Sequence, residues 1–597
     1  MNTNLQTDDF HFDAIIIGAG GAGLRAALEL AESKHQVAVI SKVFPTRSHT
    51  VAAQGGINAA LGNVSADNWH WHMFDTIKGS DYLGDQDAIE FMCREASEIV
   101  RELEHFGVPF SRLDSGKIYQ RPFGGQSQEF GQSQATRTCA AADRTGHAIL
   151  HTLYQQNLKA GTSIFSEHYA LDLIKDQDGQ IAGLMCLDIQ TGEYRLMRAH
   201  HILIATGGAG QVYRTNTNAT INTGDGLGMA LRAGLPLMDM EFWQFHPTGI
   251  AGKGMLMSEG ARGEGGLLRN ADGEAFMERY APKVKDLASR DVVARAISIE
   301  IRQGRGCGPN KDYIELDLTH LDADIIKKRL PGIRDLCLTF VGKDPIEHPI
   351  PIHPTCHYMM GGIPTNLHGQ VITKQNGQIN VVPGLYAIGE AACVSVHGAN
   401  RLGGNSLLDL IVFGREAARH LNQSLKTKSP ERFDPALDLA PVEQRIQKWQ
   451  NSETSNNSAT STDSIRQIKQ DLQQVMEQHC GVFRDRATMQ QALPKLDALS
   501  QRLSQVGLQD RSNVFNTERL QAFELDNLLA IGYATLHSAL AREESRGAHS
   551  RVDFPERDDQ AWLKHSLYFA GSHQLDYKPV QLKPLSVESF EPKARVY

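Results

Sequence analysis

Apolar residues first gather at Ala14-Ile15-Ile16-Ile17, four in a row, as a strand buried on both faces requires. Leu24, Ala27, Leu28 and Ala31 then recur at helical spacing, and Val37-Ala38-Val39-Ile40 is a second buried strand. Two further apolar runs end in glycine turns: His201-Ile202-Leu203-Ile204-Ala205-Thr206-Gly207-Gly208, and Gly384-Leu385-Tyr386-Ala387-Ile388-Gly389-Glu390. The interval between them is the size of a domain. Three- and four-residue apolar spacing predicts helices over 85–106, 465–476, 493–503 and 517–541. Asn222-Thr223-Gly224-Asp225-Gly226 opens another helix, in which Asp225 has the ordinary use of an N-cap. The Gly- and Gln-rich stretch 121–134 is expected to be loop, with 137–143 and Gly146 leading into a helix. The Ser-, Asn- and Thr-rich stretch 452–463 is expected to be a flexible linker.

With 597 residues the chain holds roughly four domain-sized units. Hydrophobic residues at 41% and charged residues at 22% fit a globular protein, and no run reaches the ~18 apolar residues of a membrane span. Residues 1–12 are polar and acidic, without the plan of a secretory signal or an organellar presequence. A net charge of −9 gives no footprint for nucleic acid, so any anion site must be a local cluster of cations. The eight cysteines lack C-x-x-C spacing, which suits reduced, buried thiols and supplies no iron–sulfur ligand run.

Between the first strand and the first helix lies Gly18-Ala19-Gly20-Gly21-Ala22-Gly23. Strand, GxGxxG turn, helix and second strand in register make a dinucleotide site. The first glycine allows the tight turn, the second the approach of a pyrophosphate, and the third close packing of strand and helix. Ser41-Lys42 follows the second strand where an acid would ordinarily hold a ribose, which argues against an NAD enzyme.

Next come Arg47-Ser48-His49-Thr50 and Ala53-Gln54-Gly55-Gly56-Ile57. This stretch closely resembles the flavoprotein subunits of succinate dehydrogenase and membrane-bound fumarate reductase. By itself His49 is an ordinary loop histidine; the resemblance makes it the covalent attachment point of FAD. It further implies cofactor contacts at Gly18, Gly20, Gly21, Gly23, Ser41, Lys42, Thr50, Gly55, Gly56, Asp225, Glu390, Ser406 and Leu407. The implied fold class is α/β: a Rossmann-like FAD-binding domain (1–240 and 357–421) with an inserted α+β capping domain (241–356), then a helical domain (422–545) and a small C-terminal domain (546–597). The aromatic stretch 67–83 resembles a connection in that family.

Five polar runs follow in the family's order: Gln244-Phe245-His246-Pro247-Thr248, Ser258-Glu259-Gly260-Ala261-Arg262-Gly263, Ser289-Arg290-Asp291-Val292-Val293, His353-Pro354-Thr355-Cys356-His357-Tyr358 and His397-Gly398-Ala399-Asn400-Arg401. Singly, each has a bland use as turn, cap or ion pair. Together they resemble a dicarboxylate site, in which Arg supplies the planar fork a carboxylate needs. The resemblance implies that His246, Ser258, His357 and Arg401 grip substrate, that Arg290 is the acid/base group, and that Glu259 and Arg262 relay its proton. Ser258 stands where many relatives have Thr, which keeps the hydroxyl and loses a methyl.

The implied reaction is oxidation of succinate to fumarate on covalent FAD. Electrons would pass to an iron–sulfur subunit and then quinone, and membrane-anchor subunits would hold the complex at the cytoplasmic side of a bacterial inner membrane. Fumarate reduction by the same residues is the alternative, an L-aspartate oxidase-like enzyme a more distant one, and a flavin electron carrier without a substrate pocket a third. No metal site is expected.

Overall fold

A computed structural model describes residues 5–426, 435–450 and 463–595. The first apolar run is the end of a long strand, β1 (Leu5–Ile17), followed by α1 (Gly21–Glu32) and β2 (Val37–Ser41). β1 lies between β2 and the Tyr194–Ile204 strand, parallel to both, with Ala14 opposite Val37 and Ile17 opposite Ile204. Ser163–Ser166 extends this parallel set beyond β2, and the end of Gln378–Ala387 extends it beyond Ile204. The earlier half of Tyr194–Ile204 pairs antiparallel with Ile181–Asp188, so one strand joins the parallel set to an antiparallel extension. Ala14, Ile15 and Ile16 have no solvent exposure, as their unbroken apolar run requires.

A second sheet of four antiparallel strands lies between the two halves of the first: Trp243–Ile250, Ile350–Met359, Ile314–Asp317 and Leu267–Arg269, in that spatial order. It has its own core, with Ile297, Ile314, Leu316 and Ile352 fully buried. Helices Ile465–His479, Arg486–Gln505 and Thr517–Ala541 pack through Leu472, Leu496 and Leu528 into the core beneath the main sheet. The 493–503 helix is longer than its apolar spacing suggests, because its first turns are mostly polar and Pro494 sits inside it. A small sheet of Leu237–Met238, Lys564–Phe569 and Gln574–Pro579 holds the last regular strands of the described chain.

One local expectation is corrected. Residues 121–134 are not loop but most of a hairpin, Gln120–Gln128 with Ser133–Cys139, which also pairs with Ile57–Asn58. Its ladder breaks between Pro122 and Ser127, where the glycines fall. The hairpin buries polar side chains against other polar side chains, as when Gln126 donates to Asn58 and Thr138, so no apolar alternation marks it. The 67–83 connection contains a helix, Trp69–Gly79, whose first turn is capped by the Asn68 side chain. Residues 452–462 of the expected linker lie outside the described residues. All eight cysteines are buried free thiols, and no helix among the described residues is long and apolar enough to cross a membrane.

Candidate functional site

The turn from β1 into α1 forms one end of a cavity of about 790 Å³. Gly18 has φ +113°, and a Cβ there would stand 2.2 Å from the Ala205 carbonyl oxygen. Gly23 does not line the cavity; a Cβ on it would meet the Gly18 oxygen at 1.9 Å, so it serves the packing of helix on strand. Gly20 and Gly21 are at the helix start, and the Gly21 amide donates to Thr50 Oγ1 at 3.0 Å, pinning the 49–56 segment along the cavity wall. Ser41 and Lys42 also line this end, where the Ser41 hydroxyl donates to the Val43 carbonyl.

Lys42 is the charged centre of the glycine-turn end. Its ammonium reaches Thr223, Asp225 and Glu524, each at 2.7 Å. Burial opposes its charge, but the two carboxylates outweigh burial and raise its pKa. Asp225 is not an N-cap: Gly224 holds that position, and the Asp225 carboxylate accepts from Lys42, Thr223 and Asn527. The acids missing after β2 are thus supplied by distant segments, and Glu524 has no sequence signal.

Midway along, His49 Nδ1 accepts from the Ala219 amide at 3.2 Å. Burial pulls its pKa down to about 4, so the imidazole is neutral with its proton on Nε2. Gly55, Gly56, Ser406 and Leu407 line the same region. Glu390 does too; it accepts from the Met359 amide at 3.1 Å, and burial pushes its pKa up to about 7.

The far end is built by two strands of the four-stranded sheet, one helix and the segment ahead of another. The Arg290–Arg302 helix presents Arg290 from its first position, and Trp243–Ile250 and Ile350–Met359 present His246 and His357. Arg401 comes from the segment before the Asn405–Lys426 helix. Arg290 and Arg401 both donate to one oxygen, Gln244 Oε1, at 3.1 and 3.0 Å. The Gln244 amide donates to Asn400 Oδ1 and the Arg401 carbonyl, which fixes that oxygen toward the guanidiniums. Gln244 is fully buried and was not singled out within its run by sequence reasoning. Arg401 stacks over Tyr358 at 4.4 Å and donates to Ser406. Burial and the neighbouring Arg290 lower its pKa to about 9, and its Nε has no partner.

Glu259 balances this positive charge. It accepts from Arg290 Nε at 2.6 Å and from the Gly124 amide at 2.9 Å, with Arg262 3.7 Å away. Arg262 stands behind Glu259, off the cavity, and donates to the Asp286 carbonyl. Ser258 caps the short Glu259–Gly263 helix by accepting from the Gly260 amide, yet its hydroxyl also lines the cavity and keeps a proton to donate. His246 and His357 meet at 4.9 Å, both held well below their ordinary pKa by burial and the guanidiniums. The Thr248 amide donates to His246 Nδ1, leaving its Nε2–H as a donor. Among the described residues no cluster could hold a metal.

Residues 13–407 match the FAD binding domain family, and residues 469–597 match the fumarate reductase flavoprotein C-terminal family. The succinate dehydrogenase flavoprotein subunit of Coxiella burnetii is 56% identical over 98% of both chains. The chain belongs to the succinate dehydrogenase and fumarate reductase flavoprotein family. The fumarate reductase flavoprotein subunit of a Serratia species is 43% identical, covering 98% of this chain and 97% of its own. A solved quinol fumarate reductase of E. coli superposes with a TM-score of 0.89 at 39% identity, over 98% of this chain and 99% of that one. Like its family, the protein is an FAD-binding oxidoreductase, and the glycine turn with its helix start and long cavity fit that cofactor. The resemblance carried by Arg47-Ser48-His49-Thr50 and Ala53-Gln54-Gly55-Gly56-Ile57 had already pointed to this family.

Proposed function

We infer that the protein is the flavoprotein subunit of a succinate dehydrogenase, oxidising succinate to fumarate and passing electrons to an iron–sulfur subunit and then quinone. The observation that carries this reading is the convergence of Arg290 and Arg401 on the Gln244 oxygen, opposite two neutral histidines in the cavity that begins at the glycine turn. A four-carbon diacid needs donors at both ends. Arg401 and His357 grip one carboxylate; His246 and Ser258 donate to the other. The Tyr358 face and Gln244 hold the Arg401 fork in place before substrate arrives.

Bound FAD supplies the hydride acceptor and releases electrons singly. The helix start at Gly20 holds its pyrophosphate, and Lys42 with Asp225 borders its adenosine end. Gly55, Gly56, Glu390, Ser406 and Leu407 border the ring. His49 carries the covalent link; because Nδ1 is engaged by Ala219, Nε2 is the nitrogen available for it. As hydride leaves one central carbon of succinate, Arg290, having passed its own proton to Glu259, takes the proton from the other. Glu259 accepts from Arg290 Nε and lies beside Arg262, so the pair forms the relay away from the site. Fumarate reduction runs the same steps backwards.

The iron–sulfur and anchor subunits place the protein peripherally on the cytoplasmic side of a bacterial inner membrane. Arg290→Lys tests the mechanism: turnover should fall by orders of magnitude while malonate still perturbs the flavin spectrum. Near-normal turnover would refute the role given to Arg290.

A further inference from the structure

Beyond Pro579 the described chain has no regular secondary structure, yet it is pinned along its length. Gln86 and Glu90, four residues apart on the Gln86–Phe106 helix and fully buried, are committed to it. The Gln86 amide donates to the Gln581 carbonyl, and its side chain exchanges two hydrogen bonds with the Phe590 backbone, at 2.7 and 2.9 Å. Glu90 accepts from the amides of Leu585 and Ser586 at 2.7 and 3.0 Å. The Phe590 ring packs against Phe74 and His70 of the Trp69–Gly79 helix. Buried polar side chains that bond an irregular segment fix its path as firmly as a strand pairing does.

That path ends at Arg595. Its guanidinium bridges two carboxylates: Asp291 Oδ2 at 2.7 Å and Asp81 Oδ2 at 3.0 Å. Asp291 is fully buried, follows Arg290 directly, and lies in the first turn of the helix whose first residue is Arg290. No side chain caps this helix start: the Ser289 hydroxyl donates instead to Asp291 Oδ1, at 2.6 Å. Asp291 is held by Ser289, by Arg295 at 3.0 Å and by Arg595, and among the described residues Arg595 is the partner that ties it to another part of the fold. Asp81 takes the Gly547 amide and Arg557 as well, so the far end of the bridge is anchored.

We propose that Arg595, carried by the C-terminal strap, is a positioning residue for proton transfer: it holds the first turn of the Arg290–Arg302 helix so that Arg290 stays on Glu259 and Gln244. The proposal rests on the role given to Arg290 above. Without Arg595, one of the cations neutralising the buried Asp291 is gone and the first turn loses its tie to the C-terminal strap, leaving Arg290's own bonds and the Arg295 bond to the Gly547 carbonyl to hold it. A displacement of about 1 Å at a reacting group is enough to cost up to about a hundredfold in rate. Arg401, His246 and His357 sit on other elements and keep their grip on the diacid, so the loss falls on kcat.

The test uses the assembled holoenzyme with Arg595→Ala, Arg595→Gln and Arg595→Lys, alongside Arg290→Lys. Readouts are kcat and KM for succinate oxidation, malonate affinity from the flavin spectrum, and flavin content as the control for folding. Arg595→Ala should lower kcat about 10- to 100-fold while KM, malonate affinity and flavin content stay within about threefold. Arg595→Lys, which keeps the charge but not the fork, should recover part of that loss. If the Ala variant yields no holoenzyme, Arg595→Gln is judged by the same criterion. Unchanged kcat, or KM and malonate affinity worsening as much as kcat, overturns the strap. Near-normal turnover in Arg290→Lys would instead remove the premise, whatever the Arg595 variants do.

Discussion

Replacing Gln244 by leucine deletes the acceptor that the Arg290 and Arg401 guanidiniums share. Hydrogen bonds to charged groups are worth about 1.5–3 kcal/mol each. The contacts to Arg290 and Arg401, at 3.1 and 3.0 Å, are long for charge-assisted bonds, so the lower figure applies to each. Two such losses come to about 3 kcal/mol, which is about two decades in kcat/KM. The change also strands Asn400 Oδ1 and the Arg401 carbonyl, which receive the Gln244 amide protons, and this adds to the misplacement of Arg401. Gln244→Glu adds a charge and also gives up both amide donations, since a carboxylate cannot donate to Asn400 Oδ1 and the Arg401 carbonyl. A carboxylate there keeps the acceptor but neutralises part of the cationic field, so KM for succinate should rise more than kcat falls. Steady-state succinate oxidation with an artificial electron acceptor, at matched flavin content, measures both variants. A Leu variant within about threefold of the parent in kcat/KM would refute the idea that one shared oxygen holds the two arginines.

His49→Ala should leave a protein that still binds FAD but releases it on acid precipitation, with no flavin mass on the tryptic peptide that spans residue 49; retained acid-stable flavin would place the link elsewhere. On the alkaline side, His565 bridges Asp239 at 2.7 Å and Asp85 at 3.0 Å, which raises its pKa from 6.5 to about 9 against the penalty of burial. Its stabilisation is therefore complete below about pH 6.5 and is lost as pH rises through about 9. His565→Gln should melt lower near neutrality and lose less stability than the parent between pH 7 and about 9.5; parallel melting curves would show that this histidine does not carry the effect.

The nucleotide-binding strands and their turn were legible because they are buried on both faces and punctuated by glycine, so composition alone marks them. The hairpin at 120–139 was not: its partners are Asn58, Thr138 and Gln126, and a strand buried among amides and hydroxyls shows no apolar period. The Trp69–Gly79 helix was hidden in the same way, since its polar residues Asp75 and Thr76 are buried, Asp75 against Arg137 and Ser127 and Thr76 on its own helix. At the far end of the cavity, motif order brought Arg290, His246, His357 and Arg401 to notice. The residue between the two arginines was invisible because a glutamine's role depends on which way its amide points, which only its neighbours settle. Arg262 lies near Glu259 as its i,i+3 spacing implies, but facing away from the cavity.

Glu524 reaches Lys42 across 482 positions of sequence. Synthesis runs from the amino end, so the glycine turn and second strand emerge long before the helix that completes their charge pairing. Until that helix docks, Lys42 lacks one of its two counter-ions, and the glycine-turn end of the cavity is unfinished. Tight capture of FAD therefore belongs to the completed polypeptide rather than to a nascent fragment, and chains truncated ahead of residue 517 should remain colourless however well their sheet forms.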